Sequence, residues 1–151
     1  MNIERIKKTT LYKQLAPVDL AFKMKELGFA AGCFAMYDLN HHIWYIKNAD
    51  AFINGAVSTE DSVAINSNGA TAPLWQQVID FLEDHYQIYV MVTKDFSDGK
   101  FLGWAGVVED NDGLIELHTN ASRHTAREAA IWKAIDIIEK RIKKGNDGNS
   151  N

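Results

Sequence analysis

The chain has 151 residues, 46% of them hydrophobic, with 16 basic residues against 20 acidic ones. A chain of this length buries roughly 70% of its unfolded surface, so we expect one self-sufficient core. Charged residues at 24%, together with many aromatic side chains, exclude global intrinsic disorder. The single cysteine, Cys33, excludes an internal disulfide framework.

The N-terminal residues are charged from Glu4 onward and contain no apolar core of the kind found in secretory signals. No apolar run approaches the roughly 20 residues that a membrane-spanning helix needs. We therefore expect a soluble protein of a reducing compartment, with no membrane partner.

The charge is unevenly distributed along the chain. Residues 1–13 carry four basic residues and one acidic one, and residues 138–151 carry four and two. The body between them carries eight basic and seventeen acidic residues. Because an acidic body repels polyphosphate, we expect a protein partner and do not expect nucleic acid.

The first half of the chain predicts a helix followed by a hairpin. Pro17 precedes the helix and Gly28 follows it, which is the asymmetry that helix ends prefer. Two runs rich in β-formers then predict strands near Gly32–Leu39 and Ile43–Lys47, joined by a short polar connection.

The periodic pattern fades from Asn48 to Ala70, which indicates either a functional loop or a hidden element, with a short strand at Ser62–Ile65. The clearest helix follows. Thr71 is the predicted N-cap and Pro73 lies in the predicted first turn. The apolar stripe of this helix is Leu74, Val78, Leu82 and Tyr86, with Trp75 and Ile79 beside it.

The rest of the chain predicts three strands and a long helix. The runs QIYVMVTK and FLGWAGVVE flank a turn at Asp95–Gly99, and a turn at Asp110–Gly113 leads into LIELHT. Thr125 and Glu128 have capping-box spacing, which predicts a helix from there to about Lys144.

The resulting order is α-β-β-(loop)-α-β-β-β-α, which indicates an α+β fold with helices on one face of a mostly antiparallel sheet. We expect the Trp75 helix and the last helix to share that sheet. The expected organisation is an N-terminal arm over 1–16, a single domain over 17–144 and a disordered tail over 145–151.

One polar segment could bind an anion or a partner. His118 precedes the entry to the last helix, and Arg123, His124 and Thr125 lie at that entry, where backbone N–H groups favour negative charge. Capping and solvation of the loop are the competing structural explanation.

No other group of residues predicts catalysis, a cofactor or a metal, so we expect no enzyme and no cofactor. The histidine pair His41 and His42 lies in a turn, and the thiol of Cys33 has no electropositive neighbour nearby. The acidic cluster lacks the ligand spacing of a calcium loop; its members are Glu109, Asp110, Asp112 and Glu116.

The run Ala72-Pro73-Leu74-Trp75-Gln76-Gln77 resembles a motif of small proteins without assigned activity from phages and prophages of gut anaerobes. Gly28-Phe29 and Glu128-Ala129-Ala130 resemble their first-helix ending and their closing helix. The resemblance implies the origin of a phage-encoded accessory protein, and it implies no catalytic residue.

A second resemblance concerns the last three strands and helix, with Thr125–Ala130, which is similar to the β-β-β-α end of double-stranded-RNA-binding domains. Those domains place several lysines at the helix start. Here only Arg123 and Arg127 are present, with Lys133 further along.

The function expected from the sequence is that of a phage-type accessory protein acting through protein contacts in the host cytoplasm, with a host or phage protein as partner. A homo-oligomer and association with the virion stay open. The alternatives are a nucleic-acid-binding module using the basic ends and the strand-to-helix junction, and a small-molecule or nucleotide binder with a pocket under Asn48–Ala70.

Overall fold

A computed structural model of the chain describes residues 12–45, 51–55, 62–65 and 68–147. The chain divides into two compact units, residues 1–78 and 79–151. The single-domain organisation expected from the sequence stays a prediction. In chain order the helices and strands are α1 Val18–Glu26, β1 Ala35–Asp38, β2 Ile43–Tyr45, β3 Ala51–Asn54, β4 Ser62–Ile65, β5 Gly69–Thr71, α2 Trp75–Tyr86, β6 Tyr89–Ser97, β7 Lys100–Asp110, β8 Gly113–Ala121 and α3 Arg123–Asp147.

Helix α1 ends as the sequence predicts. Gly28 adopts a left-handed conformation with φ +91°, its N–H donates to Lys25 O, and the Phe29 N–H donates to Met24 O at 2.9 Å. These two bonds form the Schellman arrangement, which satisfies the last carbonyls of the helix. The chain thereby turns so that Phe29 is buried.

The N-terminal unit contains two small sheets. Strands β2, β1 and β5 form an antiparallel sheet, and β3 pairs with β4 in parallel. Helix α1 packs on β5. The segment Asn48–Ala70 therefore holds the predicted strand Ser62–Ile65 and also β3 and the start of β5, which the sequence pattern missed.

A buried polar link joins two of these strands. Asn54 Nδ2 donates to Thr71 Oγ1 at 2.8 Å and to Phe29 O at 2.9 Å, and the Thr71 N–H donates to Asn54 Oδ1 at 3.0 Å. The interpretation of Thr71 as an N-cap is therefore wrong. Its backbone belongs to β5, and both its N–H and its hydroxyl bond to Asn54.

Helix α2 is capped by Gln77 instead. The Gln77 side chain accepts a hydrogen bond from the Leu74 N–H at 2.9 Å, and the Val78 N–H donates to Leu74 O. Leu74 is thus the N-cap, and the glutamine three residues later forms half of a capping box. Gln77 Nε2 also donates to Gly32 O at 2.9 Å, so this motif residue has a structural role.

The C-terminal unit contains an antiparallel sheet of order β6-β7-β8. Asp98 and Gly99 have φ values of 50° and 75°, as a two-residue hairpin turn requires. The predicted turn at Asp95–Gly99 is thus shorter in the structure, because Asp95, Phe96 and Ser97 continue β6 with a bulge after Asp95.

Helix α3 covers one face of this sheet. It contacts all three strands, and its buried positions recur at about every fourth residue. A methyl group on Gly106 of β7 would lie 2.5 Å from Ala126 O, which shows how closely the helix approaches the central strand. The buried residues of α3 are Ala126, Ala130, Ile131, Ala134, Ile135 and Ile138.

The α+β class and the mostly antiparallel pairing are confirmed, and the predicted element order agrees roughly with the observed one. The strands form three sheets, so the single sheet expected to carry both amphipathic helices is not observed among the described strands. Helix α3 continues to Asp147, into the predicted disordered tail. Residues 1–11 of the predicted arm and 148–151 of the tail lie outside the described residues.

Candidate functional site

The first turn of α3 contains three of the four residues that the sequence singled out. The helix begins one turn before the predicted capping box, because Ser122 is the cap. The Thr125 N–H donates to Ser122 Oγ at 3.1 Å, the two hydroxyl oxygens lie 3.0 Å apart, and the Ala126 N–H donates to Ser122 O. The hydroxyl of Thr125 thus contributes to the cap.

Arg123 and His124 lie exposed at the same helix start. The Arg123 guanidinium carbon lies 5.5 Å from the ring centroid of Trp104 on β7, within cation–π range. His124 Nδ1 lies 3.2 Å from Arg127 Nη2. Burial, with Arg123 as a nearby like charge, lowers the pKa of Arg127. The cations at this helix start therefore lie close to one another.

His118 lies on the opposite face of the sheet. Its Nδ1 lies 2.9 Å from Asp95 Oδ2 on the far strand, and its Nε2 lies 3.6 Å from Glu116 Oε2. The hydrogen bond to Asp95 and the charge of that carboxylate raise the pKa of His118. The structure thus places Arg123, His124 and Thr125 together and His118 apart from them. Their role as anion or partner contacts stays a prediction.

The face of the C-terminal sheet that points away from α3 presents exposed apolar side chains. Gly106 faces α3, and side chains alternate along a strand, so the next residue, Val107, faces away from the helix. The residues paired with Val107 in the register, Met91 and Glu116, face the same way. We define the open-face patch as Tyr89, Met91, Val107 and Leu114, together with Glu109 and Glu116. Tyr89, Met91 and Leu114 are 45%, 48% and 54% exposed.

A second exposed group lies at the end of the β6–β7 hairpin, on the face where α3 begins. The Phe96 and Phe101 rings lie 5.7 Å apart, and the Phe101 and Trp104 rings 6.2 Å apart, both pairs edge to face. We call Phe96, Phe101 and Trp104, with Arg123 over Trp104, the aromatic row. Sequence reasoning missed it, although Phe96 and Phe101 stand symmetrically about Asp98-Gly99 and must pair across a two-residue turn.

Two cavities lie elsewhere in the described residues. One of about 240 Å³ in the N-terminal unit is lined by aromatic and imidazole rings, among them Tyr12, Tyr37, His41 and His42. One of about 280 Å³ in the C-terminal unit is lined by Lys140, Arg141 and Lys144 and by two aspartates. Neither is lined by residues of Asn48–Ala70, where the sequence suggested a ligand pocket.

The acidic turn after β7 is partly internal. Arg141 Nη2 donates to Asp110 Oδ2 at 2.6 Å, and the Asp110 carboxylate accepts from the Asp112 N–H. Asp110 therefore links the turn to α3. In the described ranges no three His, Cys, Asp or Glu side chains are grouped as a metal site would require.

Comparisons with known proteins add no relative. No family model, curated protein or solved structure matches this chain. Of the helices that the structure describes, none combines the length and apolarity needed to cross a bilayer.

Proposed function

We propose that the protein is a non-enzymatic, phage-type accessory protein that binds a protein partner through the open-face patch. The observation that supports this proposal is the contiguity of Tyr89, Met91 and Leu114 around Val107 on a sheet face that α3 does not cover. Contiguous exposed apolar surface on a small soluble domain is typical of an interaction site.

The patch has the composition of a contact surface. An aromatic ring, a flexible thioether and a leucine surround the buried Val107, and tyrosine and methionine are enriched in protein interfaces. Each of the three exposed side chains would contribute about 1 kcal/mol to the free energy of binding when a partner buries the half that is exposed in the free protein. That is enough for a transient interface when polar contacts are added at the rim.

The charge of the patch favours a partner with basic side chains beside an apolar one. Glu109 lies between Tyr89 and Leu114 in the register, and Glu116 lies beside Val107. Carboxylates at these positions would attract lysine or arginine and repel an acidic surface. We therefore propose a partner of the host cytoplasm whose surface is basic and apolar. Association of the protein with the virion would use the same patch.

The phage origin rests chiefly on the run from Ala72 to Gln77, the most specific part of the resemblance. The structure accounts for this run without any activity, because Leu74 and Gln77 cap α2 and Trp75 is buried with its Nε1 donating to Lys13 O at 3.2 Å. The origin is thus a proposal about provenance, independent of the patch.

The test is affinity capture from host and phage-infected lysates with the wild type and with Met91→Arg. We expect a captured protein whose binding weakens about tenfold or more with Met91→Arg, because an interface core that accepts a basic partner rejects a further cation. Leu39→Arg is the matched control, since Leu39 is exposed in a turn of the N-terminal unit.

Two outcomes would contradict the proposal. One is a partner captured equally well by wild type and by Met91→Arg, which places the contact elsewhere. The other is a homodimer in size-exclusion chromatography that Met91→Arg dissolves and Leu39→Arg does not, which makes a second copy of the chain the occupant of the patch.

A further inference from the structure

The aromatic row is continuous and its ends are exposed. Phe96 and Phe101 are 56% and 53% exposed. In an edge-to-face pair the edge of one ring meets the face of the other, so each pair covers at most one ring face and leaves the remaining faces to a ligand. Arg123 continues the row from Trp104 with a planar group of positive charge.

The strand geometry explains why these rings gather on the surface. The bulge after Asp95 brings Phe96 opposite Phe101, and a second irregularity at Trp104 brings that residue opposite Ala121, next to the start of α3. Bulges redirect side chains and are frequent beside functional sites. The hairpin extends beyond the part of the sheet that α3 covers, so the rings lie beside the helix start.

Two cations lie on the face of the sheet that carries the aromatic row. Lys94 pairs with Trp104 in the register and shares its face, and Arg123 lies over the indole. Lys100 pairs with Ser97, so alternation places it on the face opposite to Phe96 and Phe101. Of the carboxylates nearby, Asp95 lies 2.9 Å from His118 on that opposite face, Asp98 lies in the turn, and Glu128 lies 3.9 Å from His124 in α3. The aromatic row thus has two cations beside it, although the whole chain is acidic.

We propose that the aromatic row binds a single-stranded nucleic acid, with bases stacked on Phe96, Phe101 and Trp104 and phosphates near Lys94 and Arg123. Open aromatic faces beside cations are the usual chemistry of single-strand binding, and stacking tolerates any base. A duplex fits less well, because its bases have no free faces. The sequence-based expectation that nucleic acid is not a partner came from the overall acidic charge, which does not describe this local arrangement of rings and cations.

The experiment is fluorescence anisotropy of labelled dT12 and U12 oligonucleotides with the full chain at low salt. We expect saturable binding that Phe101→Ala weakens roughly 5- to 160-fold, the range for losing one stacked base. Two phosphate contacts predict a fall of about 7-fold in affinity between 50 mM and 200 mM salt. Phe101→Tyr keeps the ring and is expected to retain most of the affinity.

Tyr89→Ala is the matched control, because it removes an exposed aromatic ring from the opposite face of the same sheet. Equal weakening by Tyr89→Ala and Phe101→Ala would overturn the proposal. Absence of binding at tens of micromolar protein in 50 mM salt would also overturn it, as would an acidic, phenylalanine-containing peptide that binds the row when the oligonucleotides do not. Circular dichroism of each variant shows whether it keeps its fold.

Discussion

A methyl group added at Gly106 should loosen helix α3 from the central strand. It would lie 2.5 Å from Ala126 O and 2.9 Å from the Ala130 Cβ. Neither atom can move by a side-chain rotation, since one is backbone and the other is fixed to it. The whole helix must therefore shift for Gly106→Ala to be accommodated.

The magnitude follows from two opposing effects. Overpacking of a tight contact costs roughly 1–3 kcal/mol, and the upper part of that range applies because both contacts are rigid. Replacing glycine by alanine also restricts the unfolded chain, which returns at most about 1 kcal/mol. We expect a net loss of about 2 kcal/mol, or roughly a 30-fold rise in the opening equilibrium of the C-terminal sheet.

Hydrogen exchange followed by peptide mass spectrometry is the assay, because it reports β6, β7, β8 and α3 separately from the other unit. Gly145→Ala is the control: no atom lies within 4 Å of its added methyl group, and alanine favours the helix by up to about 1 kcal/mol. Unchanged exchange of β7 amides in Gly106→Ala would refute the close seating of α3 on the central strand.

Three further predictions concern single interactions. Asp95 raises the pKa of His118, so their ion pair stabilises the folded state fully below the ordinary histidine pKa, and this stabilisation is lost as the pH rises through the raised value. Asp95→Asn should therefore lower the melting temperature at pH 5.5 and not at pH 9, and equal effects at both pH values would contradict this. Burial raises the pKa of the Cys33 thiol to about 11, so a disulfide reagent at pH 8 should label this thiol only after the protein unfolds. Rapid labelling of the native protein would show instead that the thiol lies at the surface. Asn54→Ala should cost about 2 kcal/mol in urea unfolding, because the buried Thr71 N–H loses its acceptor; a midpoint equal to the wild type would show that the link contributes nothing.

Sequence patterns predicted the elements whose signals are local. Pro17 and Gly28 bound α1, and the Schellman bonds at Gly28 depend only on residues within that helix end. The two hairpins of the C-terminal sheet follow from the short turns Asp98-Gly99 and Asn111-Asp112 between runs of β-forming residues. Such features need no knowledge of distant contacts.

Interactions distant in sequence account for the failures. Thr71 has an ideal cap composition, but Asn54 bonds its N–H and hydroxyl, and no local pattern shows that pairing. Strand β3 is short and pairs with β4 in parallel, so neither alternation nor a tight turn indicates it. The capping box at Thr125 was displaced by one turn because Ser122 competes for the same role.

The candidate surfaces were only partly predictable for a related reason. Arg123, His124 and Thr125 were identified from their position before a helix, whereas the rings that adjoin Arg123 come from another hairpin. Exposure is the decisive property of both surfaces, and the composition of a strand does not show it. Phe96 and Val90 lie on one strand, and only the second is covered by α3.

The two surfaces differ in the sign of their charge, and this difference separates their proposed ligands. The open-face patch combines apolar side chains with Glu109 and Glu116, so a polyphosphate would be repelled there. The aromatic row combines rings with Lys94 and Arg123, so a basic protein surface would be repelled. A three-stranded sheet with a helix on one side leaves its other face and its hairpin end uncovered, and opposite charge at the two places keeps one ligand from occupying both. The effects of Met91→Arg and Phe101→Ala are therefore separable: each should weaken one interaction and leave the other, whichever of the two proposals survives its test.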